Sequence, residues 1–176
     1  MGPASRDHAE VAEPRCVVLT GGPGAGKSTV ARLVAQQRLR CAVVEVDDLR
    51  HMLVRPHVAP WQGPEGHRQQ LLGAGNACDL VRNFRRDGCE VLVADVLTTE
   101  TTALYRSGVE GITVVQLLVT VETAIERARR RTNSLTEQEM RHLHAEQSTF
   151  TDADVSLDTE QLGVDGVVQQ VGALLL

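Results

Sequence analysis

The stretch from Gly21 to Thr29, GGPGAGKST, carries residue types that bind phosphate groups. Its glycines allow positive φ angles and leave no side chain in the way, so successive backbone N–H groups can turn toward phosphate oxygens. An apolar run, 16–19, precedes the stretch and a helix-forming run begins at Val30. The loop therefore lies where a strand leads into a helix, whose N-terminal N–H groups and dipole also favour an anion.

The spacing of Gly21, Gly26, Lys27 and Ser28 is the P-loop (Walker A) pattern, which predicts a nucleoside triphosphate site. In that pattern the lysine reaches the β- and γ-phosphates and the serine hydroxyl ligates Mg²⁺, so we expect ATP and Mg²⁺ as cofactors. Lys27 is the only lysine of the chain. The residues predicted to hold the cofactor are Gly22, Gly24, Ala25, Gly26, Lys27, Ser28 and Thr29.

Short apolar runs alternate with helix-forming stretches along the 176 residues. The runs predict four buried strands and an edge strand, at 15–20, 41–46, 90–94, 112–119 and 155–157. Helices are predicted at about 27–38, 65–87, 98–106, 121–132, 136–147 and 165–175, with a proline-containing loop at 49–64. This alternation predicts one three-layer α/β/α domain, 15–176, around a five-stranded, largely parallel sheet. Residues 1–14 are predicted to be a disordered tail.

Acidic residues follow the second and third predicted strands. Ligands of such sheets bind at the carboxyl ends of the strands, where Asp47, Asp48 and Asp95 would lie. An acceptor hydroxyl needs a carboxylate to take its proton, and the metal needs oxygen ligands. Asp95, after an apolar Walker B-like run, is predicted to bind the metal together with Ser28. One of Asp47 and Asp48 is expected to cap a helix beginning near Leu49 and the other to act on the acceptor, with Asp47 favoured as the base.

The helix predicted at 121–132 carries Arg127, Arg130 and Arg131 on the face opposite its apolar residues. Arg127 and Arg131 are one turn apart and could bracket a transferring phosphoryl group. The alternative is a solvated basic face paired with nearby glutamates. The position after the fourth strand favours catalytic arginines in a lid at about 127–136.

Composition narrows the classes of partner. A net charge of −5 and an aromatic content of 2% argue against a nucleic-acid partner. No apolar run is long enough to span a bilayer and no signal core is present, so a cytoplasmic protein without a membrane partner is predicted. The four cysteines show no C-x-x-C pairing, which favours free thiols over a zinc site or a disulfide.

With these residues in place, the chain resembles the small P-loop kinases, most closely the branch of chloramphenicol phosphotransferase, zeta toxins and the kinase half of polynucleotide kinase. The sequence VDDLR at 46–50 is similar to the pattern of an acid, any residue, a large apolar residue and an arginine after their second strand. The resemblance implies Asp47 as the base, Arg50 beside the acceptor, Arg127 and Arg131 at the phosphates, and a turn at 158–159 near the adenine. The predicted acceptor contacts are Asp48, Arg50, Trp61 and His67, with His57 and Arg68 in the same region.

The predicted function is transfer of the γ-phosphoryl group of ATP to a hydroxyl of a small molecule, such as an antibiotic or a nucleoside. Nucleotidyl transfer at the same site and a nucleotide-dependent switch that binds a protein remain alternatives. A switch with an N-K-x-D guanine motif is excluded, because Lys27 is the only lysine. Phosphorylation of nucleic-acid 5′ ends is disfavoured by the acidic balance and the scarce aromatic residues.

Overall fold

The computed structural model describes residues 15–129 and 135–175. The predicted tail and the centre of the predicted lid, including Arg130 and Arg131, lie outside the described residues. The strands are β1 (Cys16–Thr20), β2 (Cys41–Glu45), β3 (Glu90–Ala94), β4 (Ile112–Leu118) and β5 (Val155–Asp158). The helices are α1 (Lys27–Ala35), α2 (Val46–His51), α3 (Gly63–Arg86), α4 (Thr99–Gly108), α5 (Val121–Arg129), α6 (Glu137–Ser148) and α7 (Thr159–Ala173).

The five strands form one sheet in the order β2-β3-β1-β4-β5, and every pair in it is parallel. Helices cover both faces because residues alternate along the buried central strand β1. Cys16 and Val18 pack in a cluster with apolar residues of α3 and α4, whereas Val17 and Leu19 pack with α1 and α7. The predicted three-layer α/β/α fold is confirmed. All four cysteines are free thiols.

The helix after β2 begins earlier than predicted. Val46 is fully buried and starts α2 directly after the strand, so Asp47 and Asp48 lie in the first helical turn. The N-cap residue is Glu45, and no side chain caps the helix. The prediction that one of the two aspartates caps this helix was therefore wrong. Their place is explained by the helix dipole, which favours carboxylates in the first turn.

Two other boundaries differ from the prediction. The proline-containing loop is shorter than 49–64, because α2 continues to His51 and α3 already begins at Gly63, with a proline in its first turn. The last helix begins at Thr159, where Asp158 accepts hydrogen bonds from two backbone N–H groups, and it is interrupted at Gly163. Because of this interruption, the sequence pattern predicted a helix only from about residue 165.

Gln147 connects α6 to the carboxyl edge of the sheet. Its Oε1 accepts a hydrogen bond from Thr20 Oγ1 at 3.3 Å, and its Nε2 donates to Leu97 O at 2.8 Å. Gln116 Nε2 donates to the backbone oxygen of Gln147 at 2.8 Å. Met140, Leu143 and Gln147 are the buried residues of α6.

Replacing Gln147 with leucine should lower the free energy of unfolding by about 1–3 kcal/mol, because it leaves the buried Leu97 carbonyl without its donor. Urea denaturation would show a lower midpoint with an unchanged slope. Gln138→Leu, on the exposed side of the same helix, is the matched control and should change the midpoint little. Equal stability of the Gln147 variant and the wild type would contradict the assigned role.

No helix in the ranges 15–129 and 135–175 is long and apolar enough to cross a membrane. The cytoplasmic location stays a prediction.

Candidate functional site

The P-loop joins β1 to α1 and is packed tightly against its surroundings. Gly21 and Gly24 have φ angles of 137° and 80°, which L side chains rarely adopt. A Cβ at Gly21 would lie 2.4 Å from the Leu117 carbonyl oxygen, and one at Gly24 would lie 2.9 Å from the Ala124 carbonyl oxygen. The loop therefore needs glycine both for its backbone angles and for its approach to β4 and α5.

A cavity of about 440 Å³ opens above the loop, and we call it the P-loop cavity. Its walls include every predicted cofactor residue from Gly24 to Thr29. Gly22 is not part of the wall, because His144 of α6 covers it: a Cβ at Gly22 would lie 2.6 Å from the imidazole. The same ring places its Nε2 2.8 Å from Pro23 O. The remaining lining residues are Pro23, Val30, Glu45, Asp47, Ala94, Asp95, Val96, Arg127, Ala128, Leu135, Thr159, Val164 and Val167.

Lys27 is held inside the loop. Its Nζ donates hydrogen bonds to Gly21 O at 2.7 Å and to Gly22 O at 3.2 Å. Burial lowers the pKa of Lys27, while the carboxylates of Asp47, Asp95 and Glu45 act in the opposite direction. A cation thus sits at the floor of the cavity among carboxylates, where phosphate oxygens could replace the loop carbonyls as its acceptors.

Glu45 is a carboxylate of the site that the sequence analysis missed. Ser28 Oγ donates a hydrogen bond to Glu45 Oε2 at 2.8 Å, and Arg32 lies 3.3 Å from the other carboxylate oxygen. Glu45 is the last residue of β2 and faces the P-loop cavity. The sequence feature that could have indicated Glu45 is that it is the only charged residue in the apolar run 41–46.

Asp95 directly follows β3, is only 6% exposed, and lines the same cavity. Its Oδ1 accepts a hydrogen bond from the Val96 N–H at 2.8 Å, and its Oδ2 accepts one from the Tyr105 hydroxyl at 3.0 Å. Desolvation raises the pKa of Asp95 to about 6, although both hydrogen bonds oppose the shift. Tyr105, which orients this carboxylate, was not predicted as part of the site.

Asp95→Asn should become more stable relative to the wild type as the pH rises from 4 to 7. Because the folded pKa of Asp95, about 6, exceeds the ordinary value of 3.8, this carboxyl binds more protons in the folded than in the unfolded chain within this window, and its contribution to stability falls as the pH rises. The asparagine has no such ionisation, so the difference should grow by up to about 3 kcal/mol. Urea unfolding without metal and nucleotide measures it, with the exposed Asp165→Asn as control. A difference that does not vary with pH would contradict the raised pKa.

A second cavity of about 660 Å³ adjoins the first, and we call it the outer cavity. The two share five lining residues, Pro23, Lys27, Asp47, Val96 and Leu135. The structure brings Asp47, Arg50 and Trp61 together in the outer cavity, with His57 beside them. Arg50 Nη1 donates to Asp47 Oδ1 at 3.0 Å, and the side chains are 12% and 70% exposed, respectively.

The structure does not bring Asp48 and His67 to either cavity, in contrast to the prediction that both contact the acceptor. Asp48 follows Asp47 on α2, and one residue of helix turns its side chain by about 100° to the exposed side. His67 lies on the exposed face of α3, with its Nε2 3.1 Å from Glu100. Arg68 of the same region pairs with Glu65 on the helix surface.

Gln69 fixes the loop that carries His57 and Trp61. It is 2% exposed; its Oε1 accepts a hydrogen bond from the Val58 N–H at 3.0 Å, and its Nε2 donates to Pro56 O at 2.8 Å. This anchor was missed because a glutamine in an amphipathic helix reads as solvent-exposed.

Arg127 lies beside the phosphate loop. Its Nη1 donates to Gly24 O at 3.3 Å, and the half-buried side chain lines the P-loop cavity. Arg129, on the exposed side, lies 3.5 Å from Glu137. Arg131 is outside the described residues, so its predicted role at the phosphates stays a prediction. Thr159, in the turn predicted to lie near the adenine, also lines the P-loop cavity, and its role there stays a prediction.

A protein-family model described as an AAA domain matches residues 17–149. This span contains the P-loop, Asp47 and Asp95. The chain belongs to this AAA domain family. None of the curated proteins matches it. The branch of small kinases named from the sequence stays a prediction.

Several solved structures share the fold of this AAA domain. APS kinase of Mycobacterium tuberculosis, in complex with AMPPNP and APS, is 21% identical with a TM-score of 0.74 over 93% of this chain and 98% of its own. Shikimate kinase of Acinetobacter baumannii, in complex with shikimate, is 21% identical with a TM-score of 0.64 over 91% of each chain. The tunicamycin resistance protein of Deinococcus radiodurans is 18% identical, with a TM-score of 0.65 over 91% of this chain and 94% of its own. At these identities the likeness concerns the fold.

Proposed function

We propose that the protein transfers the γ-phosphoryl group of ATP to a hydroxyl of a small molecule. The observation that carries the proposal is the shared wall of the two cavities, where the P-loop lysine and the carboxylate of Asp47 both lie. A phosphate donor in one cavity and an acceptor in the other would meet there. Transfer between two held reactants gains its rate from this placement and from fixed charges.

The P-loop cavity fits a nucleotide. In this proposal backbone N–H groups of its loop bind the phosphates, and Thr159 Oγ1 is buried without a hydrogen-bond partner among the described residues. Lys27 and Arg127 supply positive charge from two sides of the loop. In this proposal Lys27 moves from the loop carbonyls to the β- and γ-phosphates, while Arg127 closes over them.

The donor set of the same cavity fits Mg²⁺, which prefers oxygen ligands. Ser28 supplies a hydroxyl, and Glu45 and Asp95 supply carboxylates. Among the described residues, no three His, Cys, Asp or Glu side chains cluster into a closed metal cage. That fits an ion held by one or two protein oxygens together with phosphates and water. The bound ion would neutralise charge on the β- and γ-phosphate oxygens.

Asp47 is the proposed base. Arg50 occupies one of its carboxylate oxygens at 3.0 Å and fixes the side chain at the border of the cavities. An acceptor hydroxyl in the outer cavity could give its proton to this carboxylate as it attacks the γ-phosphorus. Arg50 Nε has no hydrogen-bond partner among the described residues and is left to donate to an acceptor oxygen.

The comparisons support this chemistry by analogy. Shikimate kinase and APS kinase are named as kinases of small molecules, and the tunicamycin resistance protein is named for an antibiotic. They support a small-molecule hydroxyl as the acceptor and are compatible with the antibiotic or nucleoside that we propose.

Mass spectrometry of reactions with ATP, Mg²⁺ and a panel of nucleosides, antibiotics and sugars tests the proposal. We expect one acceptor to gain a phosphoryl group with the wild type and not with Lys27→Ala. A gained nucleotidyl group would move the attack to the α-phosphate. Bound ATP without a modified acceptor in any class would favour the nucleotide-dependent switch.

A further inference from the structure

Among the described residues that line the outer cavity, carboxylates outnumber the lysine and arginine side chains. The cavity is lined by two cationic groups, Lys27 and Arg50, and by three carboxylates, those of Asp47, Glu139 and Glu146. Lys27 donates to the loop carbonyls and belongs to the nucleotide site, and Arg50 is paired with Asp47. Among the described residues, a second anion would find one cation held at the nucleotide site and the other already paired through its Nη1, with the Nε–H left to donate.

The wall formed by α6 is negative. Glu139 Oε2 accepts hydrogen bonds from the Thr136 N–H and hydroxyl, both at 2.8 Å. These bonds lower the pKa of Glu139, so it is a carboxylate at neutral pH. Glu146, two turns further along the helix, is 56% exposed beside His142. A carboxylate, sulfate or phosphate on a ligand would be repelled from this side of the cavity.

The lining of the outer cavity also includes apolar residues and flat rings. Trp61 and Phe150 both line it, and His51 and His57 stack there with centroids 4.7 Å apart. Further apolar lining residues are Ala59, Pro60, Val96, Leu97, Leu135 and Leu143. Such walls favour a planar ring, which buries area and stacks in offset geometry.

We propose that the acceptor of this enzyme is an uncharged, ring-bearing hydroxyl compound, and that anionic analogues of the same shape are discriminated against by the carboxylates of α6. The inference rests on the proposed function, because a compound bound in the outer cavity is an acceptor only if phosphoryl transfer occurs. Binding in the outer cavity, however, can be measured without any transfer, so the two can fail separately.

Trp61 makes the measurement direct, because it is the only tryptophan of the chain and lies in the outer cavity. The protein is loaded with Mg²⁺ and AMPPNP to fill the nucleotide site and titrated at pH 8 with matched pairs: phenyl β-glucoside against phenyl β-glucuronide, and uridine against uridine 5′-monophosphate. We expect Trp61 fluorescence to report a Kd at least about tenfold lower for the uncharged member of a pair.

Glu139→Gln is the decisive variant. Glutamine also serves at this position of a capping box, so α6 keeps its N-terminus while the cavity loses one charge. The Kd ratio of anionic to uncharged ligand should fall by about fivefold. Glu110→Gln changes the net charge equally but lies just before β4, at the opposite end of the sheet, and should leave the ratio unchanged.

The outcomes separate the two proposals. Equal or tighter binding of the anionic members, no binding by any uncharged member, or an unchanged ratio in Glu139→Gln would each overturn the inference. An anionic compound that is phosphorylated efficiently would overturn it while confirming phosphoryl transfer. Discrimination as expected, but with no phosphoryl transfer to any bound compound, would sustain the inference and refute the proposed reaction.

Discussion

Replacing Lys27 with alanine should abolish detectable phosphoryl transfer, with kcat lowered by at least about 10²–10³-fold. The reason is the position of its Nζ, 2.7 Å from Gly21 O at the floor of the P-loop cavity, where no other described cation lies within the loop. Without it, the carboxylates that surround this position repel the phosphates. Steady-state kinetics and calorimetric titration with ATP measure the two effects.

Lys27→Met is the size-matched companion of Lys27→Ala, since it removes the charge and retains most of the side-chain volume. Circular dichroism should show both variants folded. A second readout uses the wild type: because Lys27 is the only lysine, peptide mapping after amine acylation identifies its modification. ATP should slow that modification. Equal rates with and without ATP, or transfer by Lys27→Met at the wild-type rate, would show that the lysine does not hold the phosphates.

Replacing Asp47 with asparagine should lower kcat by about 10²–10⁴-fold and leave ATP affinity nearly unchanged. Asparagine keeps the shape of the side chain and its hydrogen bond from Arg50, so what is lost is the capacity to take the acceptor's proton. The neighbouring Asp48→Asn is the matched control, because Asp48 lines neither cavity and should retain activity near the wild-type level.

Comparing Asp47→Asn with Asp48→Asn shows whether Asp47 acts as the base or binds the metal or the nucleotide. If Asp47→Asn weakens ATP binding as much as it slows transfer, the carboxylate acts on the metal or the nucleotide. If instead Asp48→Asn lowers kcat and Asp47→Asn does not, the base is Asp48 and not Asp47. Measurements of kcat and of the Kd for ATP on the same preparations distinguish these results.

The fold was predictable because its signals are local. Four short apolar runs, each followed by a helix-forming stretch, were enough for the parallel sheet and its two helical layers. The P-loop and the strand-end acids Asp47 and Asp95 could be placed by the general rule that ligands bind at the carboxyl ends of parallel strands.

The supporting residues were not predictable, because their partners are distant along the chain. Gln147 bonds to Thr20 across 127 positions and to Leu97 across 50. Glu45 contacts Ser28, and Gln69 holds a loop eleven to thirteen positions away. A polar residue buried by such a contact looks like a surface residue until the chain has folded. The start of α2 was missed for a related reason, since the burial of Val46 decided it.

If the two cavities hold the proposed donor and acceptor, the five residues common to both walls would couple the binding of the two ligands. Lys27 and Asp47 belong to both walls, so a triphosphate that draws the lysine from the loop carbonyls changes the charge that the second ligand meets. Any factor by which ATP raises the affinity for the acceptor must equal the factor by which the acceptor raises the affinity for ATP. The shared wall would thus give the proposed enzyme a route to cooperative binding of its two substrates.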